Sequence, residues 1–550
     1  MVTFFRRFHS ASALVAFVGL WLLTVGNTVL WSHVAPLASV PVLLALAAAW
    51  LCVWMALMQW LQWPVLLKTV LVLAVLTAAF VSYFMATYGV VIDPSMMRNA
   101  LATDTNEVLD LLSGRLLVFV LLIAGPPLWL IARWKIQWVW SVPYLFGRLI
   151  WSVGALALAL GLIWLVYADF ASMMRNDRSI RYQITPFNIL YSGIRAATPK
   201  IQATQRKLLP VGDDAHLSSA MGKPPLLVLV VGETARAANF GLSGYARNTT
   251  PNLQRRMAQG SMVYWSQAES CGTNTEVSVP CMFSPLTAAE GADQPAKHQN
   301  LLDVLAKAGL NVYWADNQSG CKGVCDRVAH VNIDGHGDPR LCTQGDCLDE
   351  ALVQQLDLAV NGFNDDQKKR GIVLVLHQMG SHGPAYFKRS PTDAKLFLPE
   401  CTSGVLAECS PESLQNTYDN SIAYTDKVLE QVLQWLEHRE RGQQYATAMV
   451  YVSDHGESLG EKGLYLHGAP RWMAPKEQTH IPMLAWYSQT WIQQRGVVTD
   501  CLKSRANQPV SHDFLFHSVL GMLNVQTQAY KPELDWHQPC TSTPMPTPKA

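Results

Sequence analysis

Residues 447–457 read Thr447-Ala-Met-Val-Tyr-Val-Ser-Asp-His-Gly-Glu457, and they pass from an apolar segment of β type directly into an acid, an imidazole and a glycine. Strands of a parallel sheet are buried on both faces, so they read as continuous apolar runs, and ligands bind beyond their carboxyl ends. This stretch therefore predicts an α/β fold with Asp454 and His455 at the ligand-binding edge of the sheet. A turn that only caps a helix would use the same residue types.

A second apolar run ends in the same way. Residues 226–233 read Leu226-Leu-Val-Leu-Val-Val-Gly-Glu233. Two strands would then deliver Glu233, Asp454 and His455 to one edge of the sheet. Two oxygen ligands and one nitrogen ligand suit a divalent cation such as zinc, so the two runs together predict a metal site.

The apolar residues are concentrated before residue 170, where five segments are long enough to span a bilayer. These segments are 11–32, 38–60, 65–91, 116–133 and 149–168. The first is longer than the apolar part of a signal peptide and is followed by four more spans, so we interpret it as a retained anchor. Basic residues flank the amino terminus, the second loop and the fourth loop, which predicts that these are cytoplasmic and that the chain after about residue 170 is outside. They are Arg6, Arg7, Lys68, Arg133, Lys135 and Arg148.

The remainder of the chain shows the alternation of an α/β domain. Runs of β type lie near 226–231, 262–265, 311–315, 371–377, 447–453 and 482–487, and helical stretches lie near 299–309, 348–363 and 411–441. Ser410 as N-cap and Pro411 at the first helical position predict the start of the last helix. This alternation favours a mainly parallel sheet covered on both faces. The predicted domains are 1–169 (transmembrane), 170–224 (amphipathic membrane-surface segment and linker), 225–540 (catalytic α/β domain) and 541–550 (disordered tail).

The cysteines indicate an oxidising compartment. Ten of the eleven follow the last span, and the other, Cys52, lies within a span. An even number in the exported part predicts a disulfide framework, with a zinc–cysteine cluster as the alternative. The spacings favour pairing between neighbours in the sequence, although sequence alone does not fix the connectivity. The expected pairs are Cys271–Cys281, Cys321–Cys325, Cys342–Cys347, Cys401–Cys409 and Cys501–Cys540.

Two polar segments are candidates for substrate contact. In the outward loop between spans three and four, Asn99 and Glu107 are about two helical turns apart and could share one face, which would suit a lipid headgroup. Thr275 precedes a short apolar run, and a threonine at a helix N-terminus lies where free N–H groups and the helix dipole favour an anion. The loop could equally be a plain connector, and the threonine only an N-cap.

Four motifs follow the five spans in a fixed order. They read Gly232-Glu-Thr-Ala-Arg236, Cys271-Gly-Thr-Asn-Thr275 through Val279-Pro-Cys-Met-Phe283, Gly380-Ser-His-Gly-Pro384, and Ser453-Asp-His-Gly-Glu-Ser458. Together they resemble the bacterial phosphoethanolamine transferases, which include lipid A modifying enzymes and mobile colistin-resistance enzymes. The resemblance covers essentially the whole chain. It implies an α-helical transmembrane domain of five spans, followed by a periplasmic α/β domain of the alkaline phosphatase/sulfatase type with a mainly parallel sheet.

The resemblance also implies a metal centre and a nucleophile. The zinc ligands that it implies are Glu233, Thr275, Asp454 and His455. Thr275 would be the nucleophile that becomes covalently modified with phosphoethanolamine. Zinc can lower the pKa of a bound water from about 15.7 to about 7, and a similar effect would make the alkoxide of Thr275 accessible.

Further residues match positions that contact substrate in the family. His382 and His467 match histidines of the substrate phosphate or of a second zinc ion. Lys322 matches a substrate-contact lysine. Asn99 and Glu107 match polar residues implicated in donor binding.

The partners implied by the resemblance are two lipids. Phosphatidylethanolamine would be the donor and lipid A phosphate the acceptor, and the transfer would confer resistance to polymyxin and cationic peptides. A core sugar of lipopolysaccharide or a periplasmic glucan are alternative acceptors. We expect a monomer in the bacterial inner membrane. The formal net charge of +1 gives no global basic field that would favour a nucleic acid partner.

Several other interpretations fit the residues less well. A sulfatase needs Cys or Ser in a Cys/Ser-x-Pro-x-Arg motif, and the residues from Cys281 onward do not fit it. A glycerolphosphate transferase of the lipoteichoic acid type also uses a threonine and five spans, but ten exported cysteines fit a Gram-negative periplasm better. A non-catalytic sensor would not need an intact ligand set. We interpret two further histidines, His377 and His480, as structural.

Overall fold

A computed structural model describes residues 11–61, 63–102, 108–109, 111–136, 142–176, 179–203, 208–218, 222–292, 297–333, 338–343, 346–442 and 444–541. The chain divides into two compact units. The first takes residues up to 97 and those between 112 and 198, and the second takes 98–111 and the residues from 199 onward. Residues 542–550, the greater part of the predicted disordered tail, lie outside the described residues, as do Arg6, Arg7 and Glu107.

The first unit consists of helices. Up to residue 203 these are α1 (Ala11–Thr24), α2 (Thr28–Val34), α3 (Val40–Met58), α4 (Pro64–Tyr88), α5 (Pro94–Ala102), α6 (Gly114–Arg133), α7 (Val142–Leu165), α8 (Tyr167–Asn176) and α9 (Phe187–Ala203). Within the described residues, five stretches are long and apolar enough to cross a membrane, which confirms the predicted number of spans. They are Ala11–Val34, Val40–Leu61, Val65–Tyr88, Gly114–Arg133 and Leu145–Leu165.

The fifth span begins and ends earlier than the predicted segment 149–168. The predicted segment begins directly after Arg148, which was assigned to the preceding loop. In the structure helix α7 includes Arg148, and this side chain is only 8% exposed. Because a long basic side chain can lie along apolar neighbours, one arginine near the end of an apolar helix does not terminate it.

An eight-stranded sheet forms the centre of the second unit. The strands of this unit are β1 (His216–Leu217), β2 (Pro225–Gly232), β3 (Met262–Glu269), β4 (Asn311–Asp316), β5 (Ala329–Asn332), β6 (Cys342–Thr343), β7 (Asp346–Cys347), β8 (Ile372–His377), β9 (Ala446–Ser453), β10 (Ser458–Leu459), β11 (Tyr465–Leu466), β12 (His480–Tyr487), β13 (Val510–Ser511) and β14 (Val525–Gln526). The sheet order is β13-β3-β12-β9-β2-β8-β4-β5. Only β12 runs antiparallel to its neighbours among these eight strands, so the predicted mainly parallel sheet is confirmed.

All six predicted strands are present, and both faces of the sheet are covered. Every residue of β2, β8 and β9 is buried. Along β2, Leu227 and Leu229 belong to one hydrophobic core, and Leu226 and Val228 belong to the core on the opposite face. This two-sided burial explains why the strands read as unbroken apolar runs. At about 1.5–3 kcal/mol for each fully buried large apolar side chain, it is the main source of stability of this unit.

Helices cover both faces of the sheet. They are α10 (Pro251–Ala258), α11 (Thr275–Met282), α12 (Leu301–Lys307), α13 (Glu350–Gly362), α14 (Asp365–Arg370), α15 (Pro411–Arg441), α16 (Lys476–Thr479), α17 (Gln489–Arg495), α18 (Thr499–Arg505) and α19 (Asp513–Leu523). Helix α15 has the bounds that the sequence predicts. The Ser410 hydroxyl accepts a hydrogen bond from the Ser413 N–H at 3.1 Å, and Pro411 is the first helical residue.

The segment predicted as a linker, 198–224, is partly folded. Helix α9 continues to Ala203, and β1 pairs with β14 near the C-terminal end of the domain. Val211 and Leu217 pack against one hydrophobic core. The segment is mostly polar, and only a few apolar side chains attach it to the domain. Its composition therefore did not indicate these contacts.

All ten exported cysteines form disulfides, and their connectivity is the predicted one. The bonds are Cys271–Cys281, Cys321–Cys325, Cys342–Cys347, Cys401–Cys409 and Cys501–Cys540. Cys52 is a free cysteine. Since these ten thiols are consumed in bonds, the alternative of a zinc–cysteine cluster is wrong.

Two helical glycines provide a matched test of packing in the second unit. A Cβ at Gly521 in α19 would overlap Oδ2 of Asp535, whereas a Cβ at Gly362 in α13 would meet nothing within 4 Å. Asp535 cannot move freely, because it accepts hydrogen bonds from the Tyr530 hydroxyl at 2.7 Å and from the His537 N–H at 2.8 Å. We expect Gly521→Ala to lower the free energy of unfolding by about 1–3 kcal/mol.

Gly362→Ala is the control, with an expected gain of about 0.4–1 kcal/mol because alanine restricts the unfolded chain more than glycine does. The measurement is thermal unfolding of the full chain in detergent. Equal melting temperatures for the two variants would contradict the close packing of α19 against Asp535.

Candidate metal centre and nucleophile

The register between β2 and β9 places the first two ligand candidates side by side. The strands are parallel, and Gly232 is opposite Ser453. The next residues, Glu233 and Asp454, therefore leave the same edge of the sheet. The Asp454 N–H donates to the Gly232 carbonyl at 2.9 Å. Both side chains are fully buried, as is that of His455.

Glu233, Asp454 and His455 offer three ligand atoms within 4.8 Å of one another. Nε2 of His455 lies 3.4 Å from Oε1 of Glu233 and 3.3 Å from Oδ2 of Asp454. The Nδ1–H of His455 can donate to the Gly456 carbonyl at 2.9 Å, which directs Nε2 towards the carboxylates. Among the described residues none donates a hydrogen bond to Oδ2 of Asp454, although this oxygen is buried. The set is therefore a candidate metal site.

Electrostatics at this cluster favour a positive charge between the carboxylates. Burial, together with the Glu233 carboxylate, raises the pKa of Asp454 to about 7. Burial lowers the pKa of His455, but the carboxylates of Asp454 and Glu233 more than offset this and raise it to about 10. Two buried carboxylates are stable only when a cation, either an imidazolium or a metal ion, compensates them. The donor set and its charge fit a divalent cation.

The structure brings Thr275 to the same cluster. Helix α11 begins at Thr275, and the side chain of Asn274 caps it by accepting from the Val277 N–H at 3.1 Å. The Thr275 hydroxyl donates to Oε2 of Glu233 at 3.1 Å, and its Oγ1 lies 3.4 Å from Nε2 of His455. Thr275 thus contacts two of the three other predicted members of the metal centre, Glu233 and His455.

Thr234, the next residue in the chain, fixes the carboxylate of Glu233 by a hydrogen bond. It is a β-branched residue in the left-handed region, with φ of 59°, a conformation that costs free energy. Its hydroxyl donates to Oε1 of Glu233 at 2.6 Å, and its N–H donates to Oδ1 of Asp454 at 3.1 Å. Thr234 was not among the predicted site residues, although it lies within the motif Gly232–Arg236.

The loop after β8 closes over the same edge. Gly380 has φ of 53°, and a Cβ there would overlap the backbone carbonyl of Glu233. The Ser381 N–H donates to that carbonyl at 3.0 Å. Asp349 accepts from the N–H groups of Met379 and Gly380 at 2.8 and 2.9 Å, which fixes the turn that leads to His382.

His382 and His467 lie next to the cluster. The ring centroids of His455 and His467 are 4.4 Å apart, and those of His467 and His382 are 5.5 Å apart. Burial lowers the pKa of His382 to about 3, so its imidazole is neutral. Nδ1 of His467 lies 3.1 Å from Oε2 of Glu457, a fully buried carboxylate that the predicted site did not include. Glu457 lies two residues after His455 in the same motif, and this position could have indicated that it belongs to the site.

Three substrate-contact candidates remain, Lys322, Asn99 and Glu107. Nζ of Lys322 donates to Oγ and to the carbonyl of Ser319 at 2.6 and 3.1 Å. Asn99 lies half-buried in α5. Glu107 lies outside the described residues. The roles of these three in substrate binding stay predictions.

His377, which we interpreted as structural, lies beside the cluster. It is fully buried at the end of β8, and its Nε2 is 3.9 Å from Oε2 of Glu233. Since β8 pairs in parallel with β2, with His377 opposite Val231, its side chain emerges at the same edge. The strand order that creates this contact is not visible in the sequence. His480, by contrast, contacts the Ser266 carbonyl at 2.9 Å.

Comparisons with known proteins agree with the fold and identify relatives of the chain. A sulfatase family model matches residues 225–525, and a model described as phosphoethanolamine transferase EptA/EptB matches residues 50–201. The chain is 38% identical over 485 residues to phosphoethanolamine transferase EptA of Escherichia coli K12, covering 85% of this chain and 84% of that protein. It is 36% identical over 478 residues to phosphatidylethanolamine transferase Mcr-1 of Escherichia coli, covering 84% of this chain and 85% of that protein.

A solved structure resembles the chain over nearly its whole length. The integral membrane protein lipooligosaccharide phosphoethanolamine transferase A (EptA) from Neisseria meningitidis has a TM-score of 0.88 and 32% sequence identity. The match covers 97% of this chain and 99% of that one. The likeness therefore includes both the helical and the α/β parts.

Thr234→Val tests how Glu233 is held. Valine is also β-branched, so the strain at positive φ is retained while the hydroxyl that donates to Glu233 is lost. A hydrogen bond to a charged group contributes about 1.5–3 kcal/mol, and we expect the free energy of unfolding to fall by that amount. Thr234→Ser keeps the hydroxyl and is the control. Thermal unfolding in detergent measures both, and a valine variant as stable as the serine variant would refute the role of this hydrogen bond.

Proposed function

Since the chain belongs to the family of EptA-type phosphoethanolamine transferases, we propose that it transfers phosphoethanolamine from phosphatidylethanolamine to a phosphate of lipid A. It is an integral membrane protein with five spans, and its C-terminal domain is periplasmic. The observation that carries the proposal is the position of the Thr275 hydroxyl, 3.1 Å from Glu233 and 3.4 Å from His455 in a buried cluster. Because all of these side chains come from one chain, we propose that a monomer is active.

The metal in this proposal is one zinc ion held by Glu233, Thr275, Asp454 and His455. Two carboxylates, an imidazole and a hydroxyl within a few ångströms form a donor set that zinc accepts, and Oδ2 of Asp454 is available for it. When bound, zinc would lower the pKa of the threonine hydroxyl and offset charge on the phosphoryl oxygens. Sequestration of the cluster from water strengthens each of these interactions.

The residues of the chain divide the reaction into two halves. In the first, Oγ1 of Thr275 attacks the phosphorus of the donor, an O–P bond to Thr275 forms, and the bond to the diacylglycerol oxygen breaks. In the second, a phosphate oxygen of the acceptor attacks the same phosphorus and releases Thr275. Glu233 orients the hydroxyl in the first half by accepting its hydrogen bond. His382 and His467 lie next to the cluster. The imidazole of His382 is neutral, so it can take a proton from the acceptor, and His467 can give one to the leaving diacylglycerol oxygen.

The substrate-contact roles extend beyond the cluster. We assign Lys322 to the substrate phosphate, and Asn99 and Glu107 to the donor headgroup. Lipid A is the preferred acceptor because the four motifs resemble those of the lipid A modifying transferases. The similar protein from Neisseria meningitidis is named a lipooligosaccharide phosphoethanolamine transferase, which fits a glycolipid acceptor. A core sugar or a periplasmic glucan would use the same nucleophile, and a glycerolphosphate transferase would use the same cluster with another donor. Each added ethanolamine brings a positive charge, which weakens the binding of polymyxin and other cationic peptides to the cell surface.

Thr275→Ala tests the nucleophile. The variant lacks the hydroxyl, so transfer is expected to fall by roughly a thousandfold or more, and no covalent adduct forms on the protein. Thr275→Ser keeps a hydroxyl at the same place and should retain the adduct. Mass spectrometry of lipid A from cells with each variant, and of the purified proteins, measures both effects. Undiminished modification of lipid A by the alanine variant would refute Thr275 as the nucleophile, and modification of another glycan by the wild type would refute lipid A as the acceptor.

Removal of the metal tests the cofactor. Dialysis of the purified full chain against a strong chelator should reduce transfer by more than about tenfold, and zinc should restore it. Magnesium at the same concentration is the control, because it prefers six oxygen ligands and should restore less. Transfer that is indifferent to the chelator would refute the metal centre.

A further inference from the structure

His377 is a buried histidine that the proposed mechanism does not use. It ends β8 and is fully inaccessible to solvent. Nδ1 lies 2.9 Å from Oδ2 of Asp316, and Nε2 lies 3.9 Å from Oε2 of Glu233. Within the described part of the chain Nε2 has no hydrogen-bond partner. A buried ring nitrogen directed at a ligand carboxylate calls for an explanation beyond core packing.

Asp316 fixes the orientation of this imidazole. It ends β4, and the parallel register places it directly beside His377. Oδ2 also accepts from Nε1 of Trp314 at 2.8 Å, and Oδ1 accepts from the N–H groups of Gln318 and Gly320 at 2.9 and 3.1 Å. An ionised carboxylate with these partners only accepts hydrogen bonds, so Nδ1 of His377 is the donor. The ring is thereby locked with Nε2 towards Glu233.

The two oxygens of the Glu233 carboxylate differ in how firmly they are held. Its Oε1 is held by the Thr234 hydroxyl at 2.6 Å. Its Oε2 accepts from the Thr275 hydroxyl, which must leave that hydrogen bond when Thr275 reacts. On the Oε2 side lies the ring of His377, which Asp316 fixes and whose Nε2 is 3.9 Å from Oε2. This distance is longer than a hydrogen bond, so the ring acts by limiting how far the carboxylate can move.

We propose that Asp316 and His377 form a positioning dyad that holds the Glu233 carboxylate in the geometry required for metal binding. The inference rests on the proposed function, because it assigns Glu233 to the metal. Residues behind a ligand typically change metal affinity by about 10–100-fold when they are removed. Because Asp316 also holds the N–H groups of Gln318 and Gly320, the dyad joins the metal cluster to the start of the loop that carries Lys322.

Two amide substitutions separate positioning from simple core packing. The amide of asparagine can take the place of Nδ1, so His377→Asn keeps the partner of Asp316 and deletes the group that faces Glu233. The amide of glutamine can reach the place of Nε2 and can present either a donor or an acceptor there. If His377 acts on Glu233, the asparagine variant should bind zinc more weakly than the glutamine variant. If His377 acts only on Asp316, the asparagine variant should bind zinc more tightly than the glutamine variant.

The experiment measures the zinc Kd of the purified full chain in detergent by competition with a chelator of known affinity. We expect His377→Asn to raise the Kd by about 10–100-fold, and His377→Gln to raise it by clearly less. Asp316→Asn should also raise the Kd. In the His377→Asn background it should raise the Kd little further, because both substitutions disrupt the same Asp316–His377 pair. The control is His517→Gln, another buried histidine, whose Nδ1 accepts from the Lys531 N–H at 3.1 Å. Its Kd should change less than about twofold, and melting temperatures verify that each variant is folded.

The outcomes distinguish this inference from the proposed function. A folded His377→Asn variant with the Kd of the wild type would overturn the dyad and leave the metal centre intact. The reverse order, with the glutamine variant weaker than the asparagine variant, would also overturn it. Wild-type protein that binds no zinc would overturn both the dyad and the proposed metal centre.

Discussion

The parallel register of β2 and β9 is the constraint on which the site depends. With Gly232 opposite Ser453, two acids that are more than two hundred residues apart in the chain leave the sheet as neighbours. Their burial is unfavourable in itself, since each carboxylate loses its hydration. The surrounding structure offsets this with fixed donors and a cationic partner. Thr234, His455 and Thr275 all direct donors or a positive charge at the two carboxylates.

The backbone contributes to this arrangement as much as the side chains do. A Cβ at Gly456 would overlap the carbonyl of Glu477, and one at Gly380 would overlap the carbonyl of Glu233. Main chain therefore packs on main chain on both sides of the ligand cluster. Hydrogen bonds from Gly456 and Glu457 to Gln478 and Glu477 hold one of these contacts at 3.0 and 2.9 Å. Such close approach gives the ligands little freedom to relax, which is the condition for a preorganised site.

The sequence predicts those parts of the molecule that are encoded locally. The apolar runs of β2 and β9, the cap at Ser410 and the four disulfides that close short loops each depend on residues close together in the sequence, and each is confirmed. The order of the strands is not local, and residues whose environment depends on it were missed. His377 reads as one more residue of an apolar strand, and only the pairing of β8 with both β2 and β4 places it between Glu233 and Asp316. Polar segments were also misjudged, because Leu217 and a few similar contacts are enough to attach them to the domain.

The proposed metal ligands are spread widely along the chain, and this has a consequence for how the site forms. Glu233 and Thr275 are synthesised and exported early, whereas Asp454, His455 and His467 follow some two hundred residues later. Contacts of such separation form late in folding, since a long loop must close before they contribute. Until β9 joins β2, the periplasmic segment holds only half of the ligand set. If the proposed metal centre is correct, folding of the sheet precedes metal binding, and a nascent chain exposes no complete site to the metal ions of the compartment that it enters.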